Sequence, residues 1–350
     1  MKRVLSLLIA IPFAAQADQI VLSNGDRITG QIVESDAETL KVTTEFIGDI
    51  EIKWEAVAEI SSDDKVFISS KDGQVLVGPV KTRGESFRVE TAQSGAIEVP
   101  KSEVAAVRNE ESQAAHEAEV ERLRNPKLTD FWSGFFDTGF SLTAGNAETK
   151  SFTNAARADR TTQRDKISVY ATTIFSQNST TGETLTTANA IRGGTRYDVN
   201  VSEKMFTFGF LDLEFDEFQS LDLRSVVGGG LGYHLKKSDR TTWDFFSGAS
   251  LNQEFFDNDI TRRSGELVLG EELVFNFSEK SSWSHRIALY PNMSQTGEFR
   301  LQFDTSLNSD IWKWLGWHVT VSDRFLSNPV PGREKNDVLL TTGLRVSFGK

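Results

Sequence analysis

The chain closes on VLLTTGLRVSFGK, and these residues alternate with a period of two. Val338, Leu340, Thr342, Leu344, Val346 and Phe348 fall on one face of an extended strand, and Leu339, Thr341, Gly343, Arg345 and Ser347 on the other. The same pattern runs through FWSGFFDTGFSLTAG (131–145), LDLRSVVGGGLGYHL (221–235) and FRLQFDTSLN (299–308), and less regularly through 149–163, 165–176, 184–201, 204–217, 241–256, 263–278, 282–292 and 315–326. About twelve strands are predicted, each near the 9–11 residues that cross a bilayer or slightly longer.

The connections choose between a soluble sandwich and a membrane barrel. One set is tight and charged, at 164–166, 202–204, 236–240 and 278–282. The alternate set is mostly longer, at 177–184, 256–263, 292–298 and 328–336, with GNAE (145–148) as a short exception. Met205, Phe206, Trp243, Trp283, Trp312 and Trp314 gather beside the tight turns, where an interfacial girdle belongs. The pattern predicts an up-and-down transmembrane β-barrel with its tight turns in the periplasm.

Ahead of it, NGDRITGQI (24–32) is echoed by DGQVLVGPV (72–80), ETLKV (38–42) by ESFRV (85–89), and DIEIKWEAVAEI (49–60) by AIEVPKSEVAAV (96–107). The period of 47 to 48 residues predicts two small curled β units, 18–62 and 63–108, with Gly30 and Gly78 at sharp bends. From the G-D-x-h-x-G stretch onward each resembles an Sm-like or SH3-like small barrel, without the second-motif elements that RNA binding needs. The pair is read as a spacer or as a module for a periplasmic protein or cell-wall ligand. Residues 109–127 change to Ala, Glu and Arg, with Asn109 as an N-cap and Pro126 as a stop, which predicts a linker helix. His116 within it is read as solvated.

Composition places this architecture in the envelope. Lys2 and Arg3, an apolar run from Val4 to Phe13 and Ala15-Gln16-Ala17 read as a cleaved signal peptide, residues 1–17, with Asp18 as the mature start. There is no cysteine, and the formal charge is −12, which disfavours nucleic acid as a partner. The expected location is the outer membrane, with the repeats in the periplasm.

Thr341, Gly343, Leu344, Val346 and Phe348 resemble the C-terminal signal read by the barrel assembly machinery, although Gly349 and Lys350 trail behind it. Phe348 is alternatively a lipid-facing girdle residue. GFSLTAGNAET (139–149), DRFLSNP (323–329) with EKND (334–337), and LLTTGLRVSF (339–348) together resemble the salt-induced outer-membrane protein family, the YdiY-like domain of unknown function 481. The resemblance covers roughly 131–348; it implies fold and location and brings no reaction.

The candidate chemistry lies in the lumen. Asp212, Glu214, Asp216, Asp222, Arg224, Glu254, Arg300, Asp304 and Arg324 fall on the inward series, six acids against three bases. Twelve strands stand between the filled bore of eight and the aqueous channel of sixteen. Two readings stay open: a narrow channel or solute-binding barrel with a cation preference, or a structural envelope protein whose charges plug the bore. A third is an outer-membrane lipid hydrolase, but His234, His285 and His318 carry no nucleophile motif, so a non-enzymatic barrel is expected. DND (257–259) lacks the spacing of a Ca²⁺ loop, and no cofactor or metal is expected. The expected partners are outer-membrane lipid and the assembly machinery, with Asp323, Arg324, Asn328, Pro329 and Gly332 holding the last outer loop.

Overall fold

The computed structural model describes residues 17–349 except 37, 144–147, 181–182 and 258. The expected signal peptide, apart from Ala17, lies outside the described residues. So do most of the GNAE turn and the middle of DND. The chain divides into two compact units, residues 1–125 and 126–350.

The first unit is a nine-stranded sheet followed by a helix. Its strands are β1 (Asp18–Leu22), β2 (Arg27–Ser35), β3 (Thr39–Thr44), β4 (Gly48–Lys53), β5 (Val57–Ser70), β6 (Val75–Arg83), β7 (Ser86–Thr91), β8 (Gly95–Pro100) and β9 (Val104–Arg108). The boundary expected between residues 62 and 63 falls inside β5 and needs correcting. The first half of β5 closes the first copy by pairing with β1, and its second half opens the second copy by pairing with β9. The copies also exchange strand ends. Ser61 of the first pairs with Lys81 of the second, and Arg108 of the second pairs with Glu34 of the first. One apolar core results, in which Ile20, Leu40, Val42 and Ile60 pack with Val66, Ile68, Phe87 and Val107. Burial of such side chains contributes about 1.5–3 kcal/mol each, and neither copy keeps this core alone.

Gly30 and Gly78 occupy matching places. A Cβ on Gly30 would sit 2.6 Å from the Thr43 carbonyl oxygen, and one on Gly78 would sit 2.0 Å from that of Glu90. Only glycine lets β2 and β6 bend this closely over their neighbours. The helix α1 (Glu110–Arg124) follows, with the Asn109 side chain accepting the Ser112 N–H at 2.8 Å and acids in its first turn.

The second unit is a closed barrel of twelve antiparallel strands, each hydrogen-bonded to its sequence neighbours. They are β10 (Trp132–Thr143), β11 (Glu148–Thr161), β12 (Asp165–Thr180), β13 (Glu183–Asn200), β14 (Met205–Asp216), β15 (Leu221–Lys237), β16 (Thr241–Phe256), β17 (Thr261–Asn276), β18 (Ser281–Pro291), β19 (Phe299–Asp310), β20 (Leu315–Leu326) and β21 (Asn336–Phe348). Outward side chains such as Phe136, Leu211, Val227, Leu251, Leu267, Leu307 and Leu340 form an exposed apolar band. That inversion of the usual inside–outside order is what a hydrocarbon surrounding selects.

Two expectations need revision here. The segment 177–184 is not a long loop, because β12 runs to Thr180 and β13 starts at Glu183. Likewise β16 runs to Phe256 and β17 starts at Thr261. Beyond the apolar band both faces of a strand meet water, so polar sequence is compatible with a continuing ladder. Several strands therefore reach 16 to 18 residues. Only 292–298 and 327–335 remain as long connections at that end.

Closure depends on a short seam. β10 and β21 pair through five residues, Gly134↔Phe348 to Thr138↔Leu344, against twelve pairs between β10 and β11. Gly343 lies over β10, where a Cβ would sit 2.0 Å from the Thr138 carbonyl oxygen, and the Phe348 ring lies where a Cβ on Gly134 would be. This packing gives Gly343 and Phe348, two residues of the expected assembly signal, a local structural role. We expect Gly343→Val to reduce the heat-modifiable, protease-resistant barrel recovered from outer membranes, and Phe348→Ala to reduce it also. Wild-type yields from both variants would show that the seam tolerates loose packing.

Candidate functional site: the barrel lumen

Side-chain alternation places one continuous polar set inside the bore. In β14 the inward residues are Phe206, Phe208, Phe210, Asp212, Glu214 and Asp216, and the facing strands add arginines. Arg224 bridges Glu214 and Glu254, its Nε donating to Glu254 at 2.7 Å and its Nη1 donating to Glu214. Arg192 holds the other side of Glu214 at 2.8 Å and reaches Asp216 at 3.2 Å. Arg300 donates twice to Glu266, at 2.9 and 2.6 Å, and lies over the Tyr290 ring. Arg324 donates from Nη2 to both carboxylate oxygens of Asp304, at 2.9 and 3.0 Å. Asp212 accepts the Tyr170 hydroxyl at 2.8 Å. Planar guanidinium forks suit such double contacts with carboxylates.

Asp222 departs from its expected place. A register shift between Leu221 and Leu223 turns Leu221 inward, onto Phe256 and Val330, and leaves Asp222 exposed. A bulge reverses the face of every residue before it, which a strict period of two does not show.

The six-to-three acidic excess also needs correcting. Arg157, Arg192, Arg196, Arg286 and Arg345 face inward too, together with Asp137, Asp159, Asp198, Glu266 and Glu272. Charges in the bore are largely matched pair by pair.

The lumen has two sectors. From β13 to β18 it is closely filled. Phe206, Phe208, Phe246, Val268, Ala288 and Tyr290 form a buried cluster, with the Arg196 guanidinium over the Phe208 and Phe246 rings at 4.5 and 4.9 Å. The Arg224, Arg300 and Glu214 side chains beside it are 10% exposed or less. From β19 through β21 and β10 to β12, small half-buried side chains (Ser151, Thr153, Thr172, Ser306, Thr320, Ser322 and Thr341) alternate inside the wall with larger ones such as Phe135, Tyr170, His318 and the Arg345–Asp137 pair. The ion pairs Arg157–Asp159, Arg286–Glu272 and Arg324–Asp304 border this sector and keep 21–33% of their side-chain surface open. These side chains are less tightly enclosed than the Arg224 and Arg300 groups.

One mouth is crossed by the loop 327–335. Val330 reaches Leu221 and Phe256, at the ends of β15 and β16, nearly opposite its own strands β20 and β21. Arg333 donates to the Ser220 hydroxyl at 2.7 Å, and Arg262 to the Asn328 carbonyl at 2.7 Å. Gly332 takes φ +87°, a left-handed conformation that suits glycine. Asn328 and Arg333 thus strap the loop across the opening. Two cavities beneath it, bordered by Arg324, Leu326 and Gln219, measure ≈ 10 Å³ and ≈ 20 Å³, each room for about one water.

Each of the three barrel histidines lies beside an acid. His234 Nδ1 lies 2.7 Å from Asp244, His318 Nδ1 lies 3.8 Å from Asp137, and His285 faces outward, 3.3 Å from Glu271. Among the described residues no cluster of three or more His, Asp or Glu has metal-holding geometry.

A closed antiparallel barrel with an apolar outer band and a polar bore defines the class: an up-and-down β-barrel of the outer-membrane type. Residues 136–348 match the family described as Protein of unknown function, DUF481, and the chain belongs to that family. No curated protein matches it. Among solved structures the chain is similar to an outer-membrane channel from Pseudomonas putida F1, with 10% identity, 63% of this chain and 99% of that one covered, and a TM-score of 0.37. It is similar also to the NanC porin (9%, 61% and 97%, TM-score 0.36) and to the translocator domain of the autotransporter NalP from Neisseria meningitidis (12%, 68% and 98%, TM-score 0.34).

Proposed function

We propose that the chain is a non-enzymatic outer-membrane barrel offering a narrow, water-filled path for small solutes, with its N-terminal domain in the periplasm. The carrying observation is on the β19-to-β12 side of the lumen, where small hydroxyl side chains between the larger ones lie beside ion pairs that stay part-exposed. Arg157, Arg286 and Arg324 each face one carboxylate, so the path has little net charge and discriminates by size more than by sign. The tight turns, such as 162–164 and 238–240, and the start of β10 lie at the same end of the barrel. Short turns belong on the periplasmic side, which supports a periplasmic position for the chain leading to residue 132.

A second reading, a sealed bore, is favoured by the fully buried Arg224–Glu214–Glu254 and Arg300–Glu266 groups. Osmotic swelling of proteoliposomes separates the two. We expect slow entry of glycerol-sized solutes and exclusion of disaccharides. Vesicles with and without protein that swell alike would favour the sealed bore.

A further inference from the structure

The two copies in the N-terminal domain carry matching hairpins, β3–β4 and β7–β8, with turns built alike. Thr44 Oγ1 donates to the Gly48 carbonyl at 3.0 Å and accepts the Ile47 N–H at 3.2 Å. Thr91 Oγ1 donates to the Gly95 carbonyl at 2.8 Å and accepts the Ser94 N–H at 3.2 Å. Gly48 and Gly95 both take positive φ, +79° and +71°. The tips nevertheless differ in chemistry: Phe46 and Ile47 in the first stand where Gln93 and Ser94 stand in the second. The second copy shows that the turn does not need an apolar pair. Phe46 is 91% exposed and Ile47 77%, among the most exposed large apolar side chains described.

We propose that the Phe46–Ile47 tip inserts shallowly into a phospholipid surface, that of the bilayer holding the barrel. The inference rests on the barrel spanning that bilayer. The linking chain keeps lipid within reach: α1 has 15 residues, about 22 Å of helix, and residues 125–131 add at most about 25 Å when extended. A convex tip of two side chains is far smaller than the roughly 800 Å² per partner of a stable protein interface, but it suits a deformable apolar phase. Burial of two such side chains in an apolar phase is favourable, and the tether multiplies weak binding through local concentration. Asp49 beside the tip is paired with Lys41 at 3.4 Å and Glu45 adds a negative charge, so no basic surplus draws the tip to anionic headgroups and a zwitterionic surface suits it.

The cysteine-free chain allows a direct test. Glu45→Cys, Ala92→Cys and the lipid-facing Leu340→Cys are each labelled with an environment-sensitive fluorophore in the full chain and reconstituted in phosphatidylcholine vesicles containing a spin-labelled lipid quencher. Quenching severalfold stronger at 45 than at 92, and lost in the Phe46→Ser, Ile47→Ser background, is the expected result. Equal quenching at 45 and 92, or a label at 45 shielded from water yet not quenched by lipid, overturns the inference. Absence of quenching at 340 overturns the membrane-spanning barrel instead.

Discussion

Replacing Arg224 by methionine is expected to destabilise the barrel by about 3–5 kcal/mol, the cost of leaving buried carboxylates without their partner. Arg224 joins Glu214 on β14 to Glu254 on β16, and all three side chains are nearly inaccessible to water. Its loss leaves Glu254 with the Asn252 amide at 3.3 Å and Glu214 with Arg192 alone. The measurement is the urea midpoint for loss of heat-modifiable mobility in detergent. A second variant makes the assignment specific: Arg224→Met combined with Glu214→Gln and Glu254→Gln removes the stranded charges and should recover much of the loss. If the triple variant is no more stable than the single one, packing around the guanidinium matters more than charge pairing.

Cutting the strap across the mouth should have the largest effect on permeation. Val330→Ser with Arg333→Ala removes the apolar anchor on Leu221 and Phe256 and the bond to Ser220. The loop leaves β20 and enters β21 through backbone bonds that these changes do not touch, such as Leu326 N–H to the Lys335 carbonyl at 2.8 Å. The barrel should therefore remain folded while solute entry in the swelling assay rises severalfold. An unchanged rate with unchanged stability would locate the constriction deeper, among the Arg286–Glu272 and Arg324–Asp304 pairs.

Much of this architecture is legible in the chain, for identifiable reasons. A wall with lipid outside and polar groups inside forces alternation, so β15, β19 and β21 can be read directly. The same rule assigns Arg224, Arg300, Asp304 and Arg324 to the lumen. It fails where small residues blur the two faces. In 149–163 and 184–201, Ala, Thr and Gly occur on both sides, so the period of two does not assign Arg157, Arg192 and Arg196 to the lumen and gives an acidic excess. It fails again at Leu221 and Asp222, where a bulge shifts the register. In the N-terminal domain the repeat is visible as residue identity. That β5 serves both copies is not, because strand exchange depends on pairing partners and leaves no mark in the period.

An open but narrow, charge-balanced bore should conduct, and single-channel recording of the purified full chain in planar bilayers under a KCl gradient decides it. Small ohmic steps are expected, with a reversal potential that stays near zero. Steps that never appear, in wild type or in the Val330→Ser, Arg333→Ala variant, would contradict the open bore, and a reversal potential near that of an ideal cation or anion channel would contradict the balance of charge along it.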